Sequence, residues 1–274
     1  MRHVLFALTV SFALAPLTAR AATPDEAARL LRAVGIPEVM EIMREEGLGN
    51  GDGLDTDLLD SNGGDDWAAL VAGLYDIDAM MGAVGPAFAA RLADVDITDQ
   101  LAFFESSAGQ RVVGLELAAR RAMMDDDFDQ AARDRLAEID GADPRFSVLA
   151  AFVDDLQIIE SNVVGAMNAN YNFFLGMAHG GAFDGDMTEE QILRDVWEQE
   201  PGIRADTTEW LFSFLVTAYD PLSDGELDAY IAVSATAGGR ALNQAMFTAF
   251  DVMYNQISYS MGQGAAIVMR GQDL

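Results

Sequence analysis

The stretch "FFESSAGQR", Phe103 to Arg111, decides how the chain is read. Two hydroxyls, a carboxylate, a glycine and a guanidinium stand close together. They suit either a nucleophile on a sharp turn or the corner between two helices. A serine nucleophile needs a strand-turn-helix setting, a base and an oxyanion hole. Here the flanking residues have helical patterning on both sides. A hydroxyl followed by small residues is what a helix N-cap and a tight corner require. The stretch is therefore read as a corner, with Ser106, Gly109 and Gln110 as its structural residues.

A second stretch, "VSATAGGR", residues 233–240, resembles the first. Thr236 falls opposite Ser106 and Gly239 opposite Gly109. The copy departs at Ser234, where the first has Phe104, and at Arg240, where the first has Gln110; nothing matches Glu105. Each stretch lies between apolar helical runs, which predicts two related helical hairpins, about 88–124 and 211–256. Few windows alternate with a period of two, so no strand is expected. The expected fold class is all-α, one multi-helix domain over residues 22–274.

Within that frame the local signals are specific. Thr23 with Pro24 predicts a helix start, and Thr188 with Gln191 and Ser223 with Glu226 predict capping boxes. A helix from Pro37 to Glu46 is expected to stop at Gly47, followed by an acidic, glycine-rich loop over 47–64. Breaks are expected near Gly85-Pro86, at 94–96 and at Pro201-Gly202. A single helical period runs from Pro144 to about His179.

The N-terminus reads as an export signal: Arg2 and His3, an apolar run from Val4 to Pro16, then Ala19-Arg20-Ala21 before a cleavage point. Residues 1–21 are therefore expected to be removed, leaving a periplasmic chain. The whole sequence carries a formal charge of −29, with 16 basic residues, all arginine, and no cysteine. Such a field disfavours nucleic acid and anionic membrane surfaces as partners. No later run is read as a membrane span, because Asn243, Gln244, Asp251, Asn255 and Gln256 interrupt the apolar residues from Ala241 to Met269.

The combination of "FFESSAGQRVVGLELAARRAM" with "PLSDGELDAYIAVSATAGGRALNQAMFTAF" resembles the bacterial family called domain of unknown function 2059. The "ESNVVGAMNANYNFFLGMAHGGA" segment and the closing "GQGAAIVMRGQDL" are also similar to it. Phe103, Phe104, Ser106, Gly109 and Gln110 match its motif, an aromatic pair followed by Ser-x-x-Gly-Gln. The resemblance implies an exported, all-helical protein over most of the chain; it implies no activity and no catalytic residues.

The residue inventory narrows the chemistry. Without lysine or cysteine, and with His179 the one histidine beyond the leader, thiolate, Schiff-base and multi-histidine metal sites have no residues to build them. Carboxylates remain. Glu116 lies in an apolar run with Arg120 four residues on, a spacing that lets the two meet on one helix face. Asn162, Asn168 and Asn170 lie among Val, Met, Phe and Tyr, where buried amides either complete a core or line a ligand cavity. His179, beside Gly180-Gly181, is expected to meet the terminal carbonyls of its helix. Two acidic stretches invite comparison with calcium loops, but Leu48 and Leu59 occupy ligand positions in the first. In the second, Asp184, Asp186 and Asp195 are suitably spaced, but Glu189 takes the place of the required glycine. No metal or cofactor is expected. The expected function is non-catalytic: binding an unidentified protein or a small, partly apolar ligand. A carboxylate-dependent hydrolase of envelope glycans and a purely structural envelope protein are the alternatives.

Overall fold

A computed structural model describes residues 21–183 and 187–271; the segment expected to be an export signal lies outside them except for Ala21. Among the described residues there are thirteen helices and no strand. The first seven are α1 (Pro24–Ala33), α2 (Ile36–Asp57), α3 (Gly64–Leu74), α4 (Ile77–Leu92), α5 (Thr98–Phe104), α6 (Ser107–Ala122) and α7 (Asp126–Ala137). They are followed by α8 (Pro144–Asp155), α9 (Ile158–Gly180), α10 (Glu189–Glu198), α11 (Glu200–Tyr219), α12 (Asp224–Ser234) and α13 (Ala237–Met269). The chain is all-α.

The corner residues behave as capping chemistry requires. Ser106 Oγ accepts from the Gly109 amide at 3.2 Å and donates to the Phe103 carbonyl at 2.7 Å. Thr236 repeats this, accepting from Gly239 at 3.0 Å and donating to Val233 at 2.8 Å. A Cβ on either glycine would run into backbone of the preceding helix, at Phe103 and at Val233 and Ser234 respectively. The two copies differ in what they hold. Gln110 donates to the Phe104 and Ala33 carbonyls, tying the first corner to the end of α1. Arg240, in the equivalent place, binds Asp155 at the end of α8. Gln100 on α5, 1% exposed, donates to Thr236 Oγ1 at 2.8 Å, so the second corner rests on the first helix pair.

Several expected boundaries move, each for a packing reason. The glycine-rich segment after Gly47 is helical, not a loop, and α2 continues to Asp57. Its glycines cost helix propensity, but Gly47 and Gly51 let Tyr75 and Val71 press onto the α2 backbone, where a Cβ would collide. This also removes the first calcium-loop reading. Of the second, Asp184 and Asp186 lie outside the described residues, and Thr188 forms the expected capping box with Gln191. Pro86 sits inside α4 without ending it. Pro201 falls in the first turn of α11, where a missing amide proton costs nothing, and the break comes earlier, at Gln199. The long period from Pro144 is broken at Gln157, whose φ of 53° separates α8 from α9.

One apolar stretch was passed over in the sequence. Gly64–Leu92, with a mean hydropathy of 1.3, is long and apolar enough to cross a membrane by length and composition. In the fold it is two helices separated at Tyr75 and Asp76, and Trp67, Val71, Met80, Val84, Phe88 and Leu92 face the core.

The buried residues form two clusters. One joins α1 to α5 with the inner face of α13; the other joins α6, α8, α11 and α12. The pair α9 and α13 runs beside both. Gly165, Gly176 and Gly180 of α9 approach Asp251, Tyr259 and Ala266 of α13 in the same order, so the two helices are parallel. In their C-terminal halves the backbones touch. A Cβ on Gly262 would fall on the Phe173 carbonyl oxygen, and one on Gly176 on that of Tyr259. Ridges of ordinary side chains hold helix axes 8–10 Å apart, so only glycine permits this approach.

Gly262→Ala should therefore lower stability by about 1–3 kcal/mol, the usual cost of overpacking. Gly49→Ala, with open space at its Cβ, should be neutral or stabilising by up to about 1 kcal/mol through helix propensity. Denaturant unfolding of the two variants checks both; equal effects would contradict the backbone contact.

Candidate functional site

Where the two hydrophobic clusters meet, a cavity of about 650 Å³ lies against the N-terminal halves of α9 and α13. Ile36, Met43 and Val113 of the first cluster line it on one side; Phe152, Leu211 and Leu215 of the second line it on another. The floor is made of small residues, Gly165, Ala166 and Ala169 of α9. Aromatic walls come from α11 and α13, with Trp210 and Phe214 stacked at 5.4 Å and 5°. Spacing explains the stack, since residues four apart share a helix face.

The polar groups are few. Glu116 of α6 lines the cavity and accepts a 2.6 Å hydrogen bond from the Tyr219 hydroxyl. Tyr230 is its second hydrogen-bonding neighbour. Glu116 is half-buried at the cavity wall. Burial pushes its carboxyl above the ordinary carboxylate range, against the opposite pull of the two tyrosines. The same burial, with the Glu116 charge alongside, raises both phenols well above their usual range. Asp251 of α13 also lines the cavity, and burial alone raises its carboxyl.

The expected pairing of Glu116 with Arg120 is replaced by another. Arg120 turns instead to Glu46 of α2, at 2.7 Å. Its guanidinium also lies 6.0 Å from the Trp210 ring centre, a cation–π arrangement. Both Glu116 and Arg120 reach the cavity, but with separate partners.

Of the three amides singled out in the sequence, Asn162 lines the cavity. Its nitrogen donates to the Ile158 carbonyl at 2.8 Å. Asn168 and Asn170 do not join it. Asn168 offers its backbone carbonyl to Asn172, and Asn170 donates to Gln199 at the end of α10. His179 is likewise elsewhere. Its Nδ1 is 2.9 Å from the Tyr259 hydroxyl of α13, so that side chain, rather than the terminal carbonyls, takes its ring. The corner residues Ser106, Gly109, Gln110 and Thr236 are structural; Gly239 has a further place on the cavity wall.

Sequence reasoning missed Asn243, Asp251, Tyr219, Tyr230, Tyr254 and Trp210 as cavity residues. The signal for two of them was present. Asn243 and Asp251 are polar interruptions eight residues apart in an apolar helix, and that spacing brings them near one face. No group of three or more His, Cys, Asp or Glu side chains is placed to hold a metal among the described residues.

Because burial raises Asp251 in the folded state, its protonated form is favoured on folding. The folded state therefore gains relative stability below the unfolded pKa and loses it as pH rises through the folded pKa. Asp251→Asn should raise the melting temperature at pH 7, with the difference from the parent shrinking as pH falls toward 4. Thermal melts across that range check this; a variant less stable at pH 7 would contradict it.

None of the curated proteins and none of the solved structures matches the chain. A family match exists, narrower than the sequence resemblance implied. Residues 78–138, running from α4 to just beyond α7, match the family described as "Uncharacterized protein conserved in bacteria (DUF2059)". The match contains Glu116, Arg120 and the Ser106 corner, so this part of the chain is similar to that family.

Proposed function

We propose that the protein is a non-catalytic binding protein, exported to the periplasm, which holds a small and largely apolar ligand between its helices. The cavity carries this reading: about 650 Å³, walled mainly by aliphatic and aromatic side chains, with a few polar groups. That volume and composition are those of small-molecule sites, which span about 300–1,000 Å³. The export signal in the first 21 residues supports the location. The low polarity of the walls disfavours a hydrated glycan, whose many hydroxyls would lose water without finding partners.

A second reading, carboxylate-dependent hydrolysis, draws on one observation. Glu116 and Asp251 both line the cavity, and burial raises both. A raised carboxyl beside a second one is the equipment of a glycosidase. Against this, Glu116 is already bound by a tyrosine hydroxyl, and apolar side chains fill the walls around it.

The neutral apolar dye N-phenyl-1-naphthylamine should bind with a rise in its fluorescence. Ala169→Phe, which places a ring in the cavity, should weaken binding at least tenfold while helical circular dichroism is retained. Equal dye binding by the parent and the folded variant would contradict the cavity as the site. Release of sugars from purified cell-wall glycan, lost in Glu116→Gln, would replace the binding reading with the hydrolytic one.

A further inference from the structure

We propose that the cavity takes an organic cation: a protonated amine on an alkyl or aryl body, its ammonium set against the Asp251 carboxylate. This rests on the cavity being the binding site and adds the chemistry of what enters it.

The argument is an inventory of donors and acceptors. The Asn162 amide nitrogen is committed to the Ile158 carbonyl, and that of Asn243 to the Leu156 carbonyl at 3.0 Å. A carbonyl only accepts, so these bonds fix which end of each amide is which. The two Oδ1 atoms are left as acceptors without a protein partner. Ser234 donates to the Tyr230 carbonyl, and the Tyr219 hydroxyl donates to Glu116. Arg120, the guanidinium among the lining residues, is neutralised by Glu46 and hydrogen-bonded to Tyr254. The hydroxyls of Ser161 and Tyr254 can act either way. Each amide keeps a second N–H, so the walls offer a ligand acceptors and neutral donors, but no unpaired cation stands among the lining residues.

Asp251 sets the sign. Among the described residues it forms no hydrogen bond and no ion pair, although Arg29, Arg111, Arg133, Arg145 and Arg204 all find carboxylates. A partly buried carboxylate without a partner is held at a cost, and an ammonium group removes that cost. Aromatic faces nearby suit the same charge. The Trp210 ring already has a guanidinium 6.0 Å from its centre, and Phe214, Phe247 and Phe250 stand along the same walls. The chain's charge of −29 gathers cations and repels anions before binding begins. A fatty-acid carboxylate would meet the Asp251 carboxylate as a like charge, with no unpaired cation among the lining residues to receive it.

Titration calorimetry at pH 7 with decylamine hydrochloride, 1-decanol and sodium decyl sulfate, each below its micellar concentration, separates head-group charge from chain burial. The proposal requires the decylammonium ion to bind at least tenfold more tightly than decanol, and decyl sulfate more weakly than either. Asp251→Asn should erase the ammonium preference and leave decanol binding within about twofold; Asp251→Glu should restore part of it. Thermal melts of both variants confirm that they are folded. Three probes binding alike, or decyl sulfate binding best, would overturn the cation while leaving the cavity as a binding site. If none binds although the naphthylamine dye does, the cation proposal falls alone. If the dye fails as well, the cavity reading falls and takes the proposal with it.

Discussion

The backbone contact between α9 and α13 is the constraint on which the rest of the structure depends. Gly176 and Gly262 remove the side chains that would hold the two axes apart, each meeting a carbonyl of the opposite helix. The helices are parallel, so this contact at their C-terminal ends fixes how their N-terminal halves lie. There Arg240 and Asn243 fasten α13 to the end of α8, at Asp155 and Leu156. Between these two anchorages Gly165, Ala166 and Ala169 present a shallow surface, and larger side chains from α6 and α11 stand around it without filling it. A close-packed interior rarely leaves such space. Here it lies where two hydrophobic clusters meet along a helix pair, one member of which, α13, belongs to the first cluster.

Apart from Arg120, which is paired with Glu46, the polar groups at that seam are organised by burial rather than by ion pairing. On the outer surface, guanidinium groups meet carboxylates between helices, as in Arg29 with Glu105 and Arg204 with Glu160. Exposed pairs of this kind contribute little to stability, and their clearer effect is to set helix orientation in a very acidic chain. Inside, Glu116 depends on phenols instead of cations. A carboxyl shielded from water is less costly to keep protonated, and tyrosines hydrogen-bond it in either form. Asp251 lacks even that. The cavity therefore holds one satisfied carboxyl and one unsatisfied one, which is a stronger pointer to a ligand than its volume.

Much of the fold was legible in the sequence because its signals are local. Thr188 and Ser223 announced their capping boxes, Thr23 its helix start, and Ser106 and Thr236 their corners, through chemistry that acts within four residues. The failures came where tertiary packing overrode local preference. Gly47 and Gly51 read as a loop because glycine weakens isolated helices, but the side chains of Tyr75 and Val71 fill the groove they leave. The candidate site was legible in part. Glu116, Arg120 and Asn162 stood out as polar residues in apolar runs and do reach the cavity. Asn168, Asn170 and His179 gave the same signal but do not line it, since periodicity within one helix does not say which neighbour each face meets. The aromatic wall from Trp210 to Tyr254 had no local mark, because it exists only once α11 and α13 are brought together.

The central claim is that this seam holds a ligand in the living cell, and native mass spectrometry of the protein purified gently from its own cells addresses it most directly. The account predicts a reproducible extra mass that is lost on denaturation and carries a basic nitrogen. The bare mass of the polypeptide, in preparations where the folded protein still binds an added apolar probe, would contradict it.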